Sequence, residues 1–353
     1  MTRPARVIVD TSALQFNLAL IRQKNPGVKI MAIVKADGYG HGVSRVGNAL
    51  ASSDAFGVAS IEEAVKLREG GASKPIVLLE GPFEPNELQQ IHDLQLHAVV
   101  HTHVQLAMIL ESDFRAPLWI KIDSGMHRLG FSPNELPNVL ASLRNYPAPV
   151  RCMTHLANAH DLDDDNTESQ LTVFATSVQD FDGETSVANS AGLLGWPQIE
   201  GAWARPGIML YGVSPFRDKV GKDFGLKPAM SVKSAIISVR RINPGESVGY
   251  GRGFVASEAL TVGVVAFGYG DGYPRAAGTG TPILVNGQAA EVIGEASMDM
   301  LTVDLTKVSN PQVGDEVTLW GPDLPVELVA KSAQTIPYEL LCRVRMRARY
   351  VEN

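Results

Sequence analysis

Cysteine is scarce in this sequence of 353 residues, which contains only Cys152 and Cys342. The two lie far apart, and neither belongs to the paired Cys/His spacing of a metal-binding motif. A disulfide framework or a zinc site requires more such residues, closely spaced. We therefore expect neither disulfides nor a bound metal.

Long apolar runs and basic clusters are also missing. No apolar run reaches the length of a membrane-spanning helix, and residues 1–10 lack the apolar core of a signal peptide. The net charge is −7, whereas a duplex-binding protein needs a basic face. The basic stretch 343–349 alternates with apolar residues, which favours a half-exposed strand. We expect a cytoplasmic protein with no membrane or nucleic-acid partner.

The first part of the chain shows a regular alternation of strand and helix patterns. Short β-rich runs alternate with segments of helical period from Arg6 to about Phe216. Eight such strands predict a closed (β/α)8 barrel of the TIM type, an α/β fold, over residues 1–225. The predicted strands are 28–34, 55–59, 75–79, 97–100, 118–122, 150–155, 185–188 and 201–204.

The remaining chain, residues 226–353, has a different pattern. Strand patterns follow one another without helical spacers, and turn residues separate them. The pair Asn286-Gly287 between two apolar runs predicts a hairpin. One helix is predicted late, at 325–341. These features indicate a mainly-β C-terminal domain.

Polar residues follow five of the predicted barrel strands. Lys35 follows the first, Asp123 to Arg128 the fifth, His155 ends the sixth, Asn189-Ser190 follow the seventh, and Arg205 follows the eighth. Barrel enzymes place their active sites at this C-terminal face of the strands. Because five strands share the pattern, we predict that these residues form a site.

The residue types at these positions indicate a cofactor. Lys35 directly follows an apolar strand, where partial desolvation lowers the pKa of an amine and permits Schiff-base chemistry. Barrels commonly bind phosphate after strands seven and eight, where Ser190 and the amides of Gly207 and Ile208 stand. A Schiff-base lysine opposite a phosphate cradle is typical of pyridoxal 5'-phosphate.

Arg205 refines this prediction. A guanidinium donates hydrogen bonds but cannot accept them, so a pyridine nitrogen facing it would stay unprotonated. The cofactor would then be a weaker electron sink, which suits proton exchange at Cα rather than transamination.

Together these motifs resemble the bacterial alanine racemases, which depend on pyridoxal phosphate. The resemblance covers both domains in order. Its segments are AIVKADGYGHG (32–42), KIDSGMHRLG (121–130), TH (154–155), NS (189–190), RPGIMLYG (205–212), VGYG (248–251), GYGDGYP (268–274) and SMD (297–299).

The resemblance implies a head-to-tail homodimer that acts on alanine, with each active site between one barrel and the partner's β domain. It implies that Lys35 holds the cofactor and acts as the base on D-alanine, and that Tyr250 acts on L-alanine from across the interface. His155 would link Tyr250 to Arg205.

The resemblance also implies binding roles. Arg128 and the backbone amide of Met298 would bind the substrate carboxylate, and Lys121 matches a position that is carbamylated in several members. The residues assigned to the cofactor and its phosphate are Tyr39, His155, Asn189, Ser190, Arg205, Gly207, Ile208 and Tyr338.

Three alternatives stay open at this stage. A non-catalytic pyridoxal-phosphate carrier would resemble the barrel alone, and a barrel-type amino-acid decarboxylase would place a glutamate where Arg205 stands. A periplasmic racemase of broad specificity would carry a secretion signal. The sequence also leaves open whether the enzyme supplies D-alanine for peptidoglycan or degrades L-alanine.

Overall fold

After a first strand, β1 (Arg6–Val9), eight parallel strands close into a barrel in the computed structural model, which describes residues 3–344 and 347–352. The last barrel strand pairs with the first, so the ring is complete. The barrel strands are β2 (Lys29–Ile33), β3 (Ala55–Val58), β4 (Ile76–Leu78), β5 (Leu96–Val100), β6 (Leu118–Lys121), β7 (Val150–Met153), β8 (Thr185–Ser186) and β9 (Trp203–Ala204). The predicted barrel is confirmed.

Helices pack around the barrel strands, which are therefore mostly buried and mostly apolar. Helix α1 begins where the Asp10 carboxylate accepts a hydrogen bond from the Ala13 amide, at 3.0 Å, as an N-cap. The helices are α1 (Thr11–Lys24), α2 (Lys35–Tyr39), α3 (Val43–Ala49), α4 (Ile61–Glu69), α5 (Glu87–Asp93), α6 (His103–Leu110), α7 (Leu136–Ser142), α8 (Asn166–Ser177) and α9 (Ser190–Gly195).

The C-terminal part is mainly β, as predicted. Six antiparallel strands close into a ring, because β13 pairs with both β16 and β10, and a two-stranded ribbon of β11 and β12 lies beside it. The strands are β10 (Met230–Ile242), β11 (Ser247–Val248), β12 (Phe254–Val255), β13 (Leu260–Val265), β14 (Pro282–Val285), β15 (Gln288–Val292), β16 (Leu301–Asp304), β17 (Glu316–Trp320) and β18 (Arg349–Glu352).

The first strand of the chain belongs to this β sheet rather than to the barrel. Strand β1 pairs antiparallel with β10 and parallel with β18. The hairpin predicted at Asn286-Gly287 joins β14 to β15, and both turn residues have positive φ, 47° and 78°. That geometry fits a two-residue turn matching the strand twist.

The C-terminal helix differs from the prediction. The expected helix at 325–341 is two helices, α10 (Val326–Ser332) and α11 (Pro337–Arg343). Gln334 has a left-handed φ of 53°, and Ile336 is extended because it precedes Pro337. The half-exposed strand predicted over 343–349 is also wrong in position: Arg343 ends α11, β18 begins at Arg349, and 345–346 lie outside the described residues.

Within residues 3–344 and 347–352, no helix is long and apolar enough to cross a bilayer.

Candidate active site

Lys35 lies at the start of a strained turn beyond β2. Ala36, Asp37 and Gly38 all adopt left-handed backbone conformations, with φ of 53°, 54° and 63°. Such conformations are unfavourable for residues other than glycine and persist where the surroundings impose them. The Ala36 amide donates to the Glu63 carboxylate at 2.6 Å, which helps to hold the turn. Lys35 itself is half-buried at the start of this turn.

A cluster of tyrosines lies beside this turn. Tyr39 stacks on Tyr211 with ring centroids 4.6 Å apart, and Tyr338 lies 6.0 Å from Tyr39. The Tyr211 hydroxyl donates to the Ile33 carbonyl at 3.0 Å. Burial raises the pKa of Tyr39 well above its usual value and that of Tyr338 to about 12. Both phenols are therefore protonated donors at neutral pH. The supporting role of Tyr211 was not predicted.

Ser190 is joined by hydrogen bonds to the segment that follows β9. The Ser190 hydroxyl accepts hydrogen bonds from the amides of Gly207, at 2.9 Å, and Met209, at 3.4 Å. Gly207 packs tightly against Tyr39, because a Cβ atom there would lie 2.5 Å from the Tyr39 hydroxyl. The side chain of Asn189 caps α9 by accepting from the Gly192 amide at 2.9 Å, and so fixes the start of the helix that carries Ser190.

Arg205 is a buried cation, 5% exposed. Its guanidinium donates to the Ser186 hydroxyl at 2.6 Å, to the Val187 carbonyl at 3.2 Å and to the Thr154 carbonyl. It also lies 3.4 Å from Nδ1 of His155. Among the ion pairs of the described residues, no carboxylate pairs with Arg205. Burial lowers its pKa to about 10, which still leaves it charged at neutral pH.

Positive charge is concentrated around Lys121 and His155. Burial and the nearby charges of Arg205, Arg128 and Lys35 lower the pKa of Lys121 to about 8. Burial, then the charge of Arg205, holds the pKa of His155 well below its usual range. His155 is therefore neutral near pH 7, and part of the Lys121 population is a neutral amine.

The loop that carries Arg128 is held by Asp123. The Asp123 carboxylate accepts hydrogen bonds from the amides of Gly125, at 3.0 Å, and His127, at 2.9 Å. His127 has a left-handed φ of 55°. Arg128 follows it as an exposed side chain at the barrel mouth, close enough to lower the pKa of Lys121.

Gln170, on helix α8, connects two of the site's loops. Its side chain donates to the His155 carbonyl at 3.2 Å and accepts from the Ala157 amide at 2.8 Å. Its amide nitrogen also lies 3.5 Å from the Ser124 hydroxyl, in the loop that leads to Arg128. Gln170 is buried, and sequence reasoning did not identify it, because a helical glutamine carries no signal of its own.

Two predicted site residues lie on the β domain. Tyr250 is 76% exposed and Met298 is 53% exposed. Tyr250 stands between Gly249 and Gly251, both at positive φ, which fix the turn that presents its ring. No hydrogen bond or ring contact joins Tyr250 to the barrel within the described part of the chain.

The structure thus brings together most of the predicted site and separates two members from it. Tyr250 and Met298 stand apart on the β domain. The residues gathered around the barrel mouth are Lys35, Tyr39, Lys121, Arg128, His155, Asn189, Ser190, Arg205, Gly207, Ile208 and Tyr338.

Comparison with known proteins identifies the family. The alanine racemase N-terminal domain matches residues 9–215, and the alanine racemase C-terminal domain matches residues 229–352. An alanine racemase of Vibrio parahaemolyticus is 46% identical over 350 residues, 98% of each chain.

Solved structures similar to this chain are also alanine racemases. A biosynthetic alanine racemase from Pseudomonas aeruginosa has a TM-score of 0.97 and 42% identity, covering all of both chains. An alanine racemase from Bartonella henselae with covalently bound pyridoxal phosphate has a TM-score of 0.91 and 28% identity, covering 99% of each chain. Neither the carrier nor the decarboxylase alternative is favoured, and the chain belongs to the alanine racemase family, isomerases that interconvert L- and D-alanine.

Proposed function

We propose that this chain inverts Cα of alanine with two bases, Lys35 from its own barrel and Tyr250 from the β domain of a second copy. Pyridoxal phosphate would bind at the barrel mouth. The observation that carries the proposal is Arg205, a buried cation that contacts His155 and pairs with no carboxylate among the described residues.

The barrel mouth fits pyridoxal phosphate at its phosphate end. Tyr39 is a protonated phenol packed against Gly207, and Ser190 lies within hydrogen-bond distance of the Gly207 amide. Phosphate oxygens accept hydrogen bonds from such hydroxyls and amides. The residues that would hold the phosphate are Tyr39, Ser190, Gly207, Ile208 and Tyr338.

The residues of the barrel mouth that lie away from this phosphate end fit the pyridine ring. Arg205 is charged, buried and able only to donate, so it would hold a ring nitrogen in its unprotonated form. Lys35, at the end of β2, would hold the carbonyl end covalently. When bound, the cofactor supplies an electron sink that makes the Cα proton of an attached amino acid removable. The Bartonella henselae relative, which carries it covalently, supports this assignment.

Inversion requires proton transfer on both faces of Cα. The Lys35 amine serves one face and acts on D-alanine. The Tyr250 phenol serves the other and acts on L-alanine. Arg205 can only donate, so Nδ1 of the neutral His155 accepts from it and the imidazole proton lies on Nε2. That N–H can donate to the phenolate form of Tyr250 and so favour loss of the phenol proton.

The exposure of Tyr250 supports a head-to-tail homodimer. A catalytic phenol that is 76% exposed and lacks contact with the barrel in the described residues needs another surface to complete its site. Closed two-fold assemblies are the commonest oligomers, and each interface then builds two equivalent sites.

Arg128 and the Met298 amide would bind the carboxylate of alanine, from the barrel and the partner's β domain respectively. Lys121 would be carbamylated: its amine would attack carbon dioxide, forming an N–C bond and releasing one proton. A pKa near 8 leaves enough neutral amine for that attack, and the new negative charge would attract Arg128 instead of repelling it.

Subunit mixing tests the two-base, two-subunit arrangement. Tyr250→Phe should slow racemisation at least ~100-fold, and Lys35→Ala should abolish it. Random exchange of the two inactive chains should then restore about a quarter of wild-type activity, because half of the dimers gain one intact site. The control is wild type mixed with a chain that carries both substitutions, because each site of those mixed dimers lacks one of the two bases. No recovery despite confirmed exchange would place both bases in one chain.

A further inference from the structure

Asp271, between β13 and β14, is a completely buried carboxylate. It accepts a hydrogen bond from the Gly268 amide at 2.9 Å and pairs with two cations. Arg3 lies 2.7 Å from one oxygen and Nε of Arg347 lies 3.1 Å from the other. A buried charge without partners would be costly, so both arginines matter to its placement.

Both arginines also bind Asp299. Arg3 donates to the Asp299 carbonyl at 2.6 Å, and Arg347 donates to the Asp299 carboxylate. One arginine comes from each end of the chain. Asp271 and Asp299 therefore share two cations and are held at a fixed distance from each other.

Met298 lies inside this network. Its carbonyl accepts from the Gly270 amide at 2.8 Å, and the Ser297 carbonyl accepts from the Tyr269 amide at 3.0 Å. A Cβ atom on Gly268 would lie 2.5 Å from the Met298 carbonyl oxygen. The two backbone segments are thus in direct contact, and a shift of one must displace the other.

We propose that Asp271, through Arg3 and Arg347, is a positioning residue that sets the Met298 amide for the substrate carboxylate. This inference rests on the proposed function, which assigns that amide to the carboxylate. The carboxylate is common to both enantiomers and to the ground and transition states. Loss of the network should therefore weaken substrate binding equally in both directions and leave the proton transfers intact.

Asp271→Asn is the direct test. The new amide oxygen can still accept from Gly268, but the ion pairs with both arginines are lost. We expect KM for L-alanine and for D-alanine to rise together by ~10-fold, with kcat within about threefold of wild type. The inhibition constant of propionate, which has the carboxylate without the amine, should rise by the same factor.

The matched control is Glu316→Gln. Glu316 also pairs with two cations, Arg6 and Lys233, and also joins the N-terminal segment to the β domain. It has no contact with Met298 among the described residues, so its KM should be unchanged. If Asp271→Asn does not fold, Arg347→Gln replaces it, with a ~3-fold rise in KM. A folded variant with unchanged KM and propionate inhibition would overturn the proposal.

Mixed dimers separate this proposal from the proposed function. When a Lys35→Ala chain is paired with an Asp271→Asn chain, the only surviving Lys35 meets an intact Met298 segment, so KM should be normal. When one chain carries both Lys35→Ala and Asp271→Asn and its partner is wild type, the only surviving Lys35 meets the altered Met298 segment, so KM should be raised. The reverse pattern would support positioning by Asp271 while overturning the site's assembly across subunits.

Discussion

The barrel mouth and the exposed rim of the β domain differ in how far their side chains are fixed. Arg205 is buried and donates to three oxygens, and Ser190 accepts from two amides. Tyr250 and Met298 are exposed, and only their backbones are held. The residues of the barrel mouth are thus fixed within a single chain, whereas the side chains of Tyr250 and Met298 are left uncovered, as the proposed assembly from two subunits requires.

The two halves also differ in charge. The charges of Lys35, Arg128 and Arg205 lie close enough to Lys121 and His155 to add to burial in lowering the pKa of both groups. Concentrating cations in a partly desolvated site is unfavourable unless anions bind there. A phosphate and a carboxylate would offset this repulsion. The barrel mouth is therefore suited to binding anions, whereas Tyr250 and Met298 on the β domain offer a phenol and a backbone amide.

The largest expected effect comes from replacing Lys35 at the barrel mouth. Lys35→Ala should abolish racemisation and remove the visible absorbance of the bound cofactor, because the covalent attachment and one proton transfer both need that amine. Lys29→Ala is the matched control: Lys29 begins the same strand at the opposite end and pairs with Glu184. Visible absorbance that borohydride still fixes to the Lys35→Ala protein would place the attachment on another residue.

A smaller effect tests whether the barrel half is preorganised by its buried hydrogen bonds. Gln170→Leu leaves the His155 carbonyl and the Ala157 amide without their partner, which should cost about 1–3 kcal/mol of unfolding free energy and lower kcat by ~10-fold.

The control for this effect lies across the barrel. Gln105→Leu removes bonds to the carbonyls of Glu80 and Pro82, between β4 and β5, opposite Arg205 in the ring. It should destabilise the protein similarly with less loss of kcat. Equal losses of kcat in both variants would show that general stability, not the placement of His155, limits activity.

The barrel and its part of the site were predictable because the signals are local. An apolar run followed at once by Lys35, or by Arg205 with Pro206 and Gly207, marks a strand and the position after it in a few residues. The closed barrel then brings such positions together whatever the loops between them do. The eight strands were therefore predicted in the right order.

The interactions that were missed depend on distant pairing. Strand β1 lies against β10 and β18, and its short sequence carries no signal for either partner. Gln170 bonds to backbone groups, and Asp271 pairs with arginines near the two ends of the chain, and neither set of contacts leaves a pattern in the sequence. Tyr250 was assigned through family resemblance, because an exposed tyrosine between two glycines has no unique chemical interpretation on its own.

The smallest expected effect concerns how the stability of the protein falls at acidic pH. His41, His97 and His155 all lie in the barrel. Burial is the main reason why the pKa of His41 and of His97 is lowered to about 4 and that of His155 lies well below its usual range. In the unfolded chain they titrate near 6.5. The unfolded state therefore binds more protons between pH 6.5 and 4, so stability falls as the pH drops through that range.

For His97, beside the charges of Arg151 and Arg68, this loss amounts to about 2 kcal/mol between pH 7.5 and pH 5. His97→Gln should reduce the difference in unfolding free energy between those two pH values by about that amount, while leaving activity at pH 7.5 unchanged. Denaturant unfolding at fixed protein concentration measures it, since assembly would otherwise shift the midpoint. An undiminished pH dependence in the variant would mean that groups other than His97 set the sensitivity to acid.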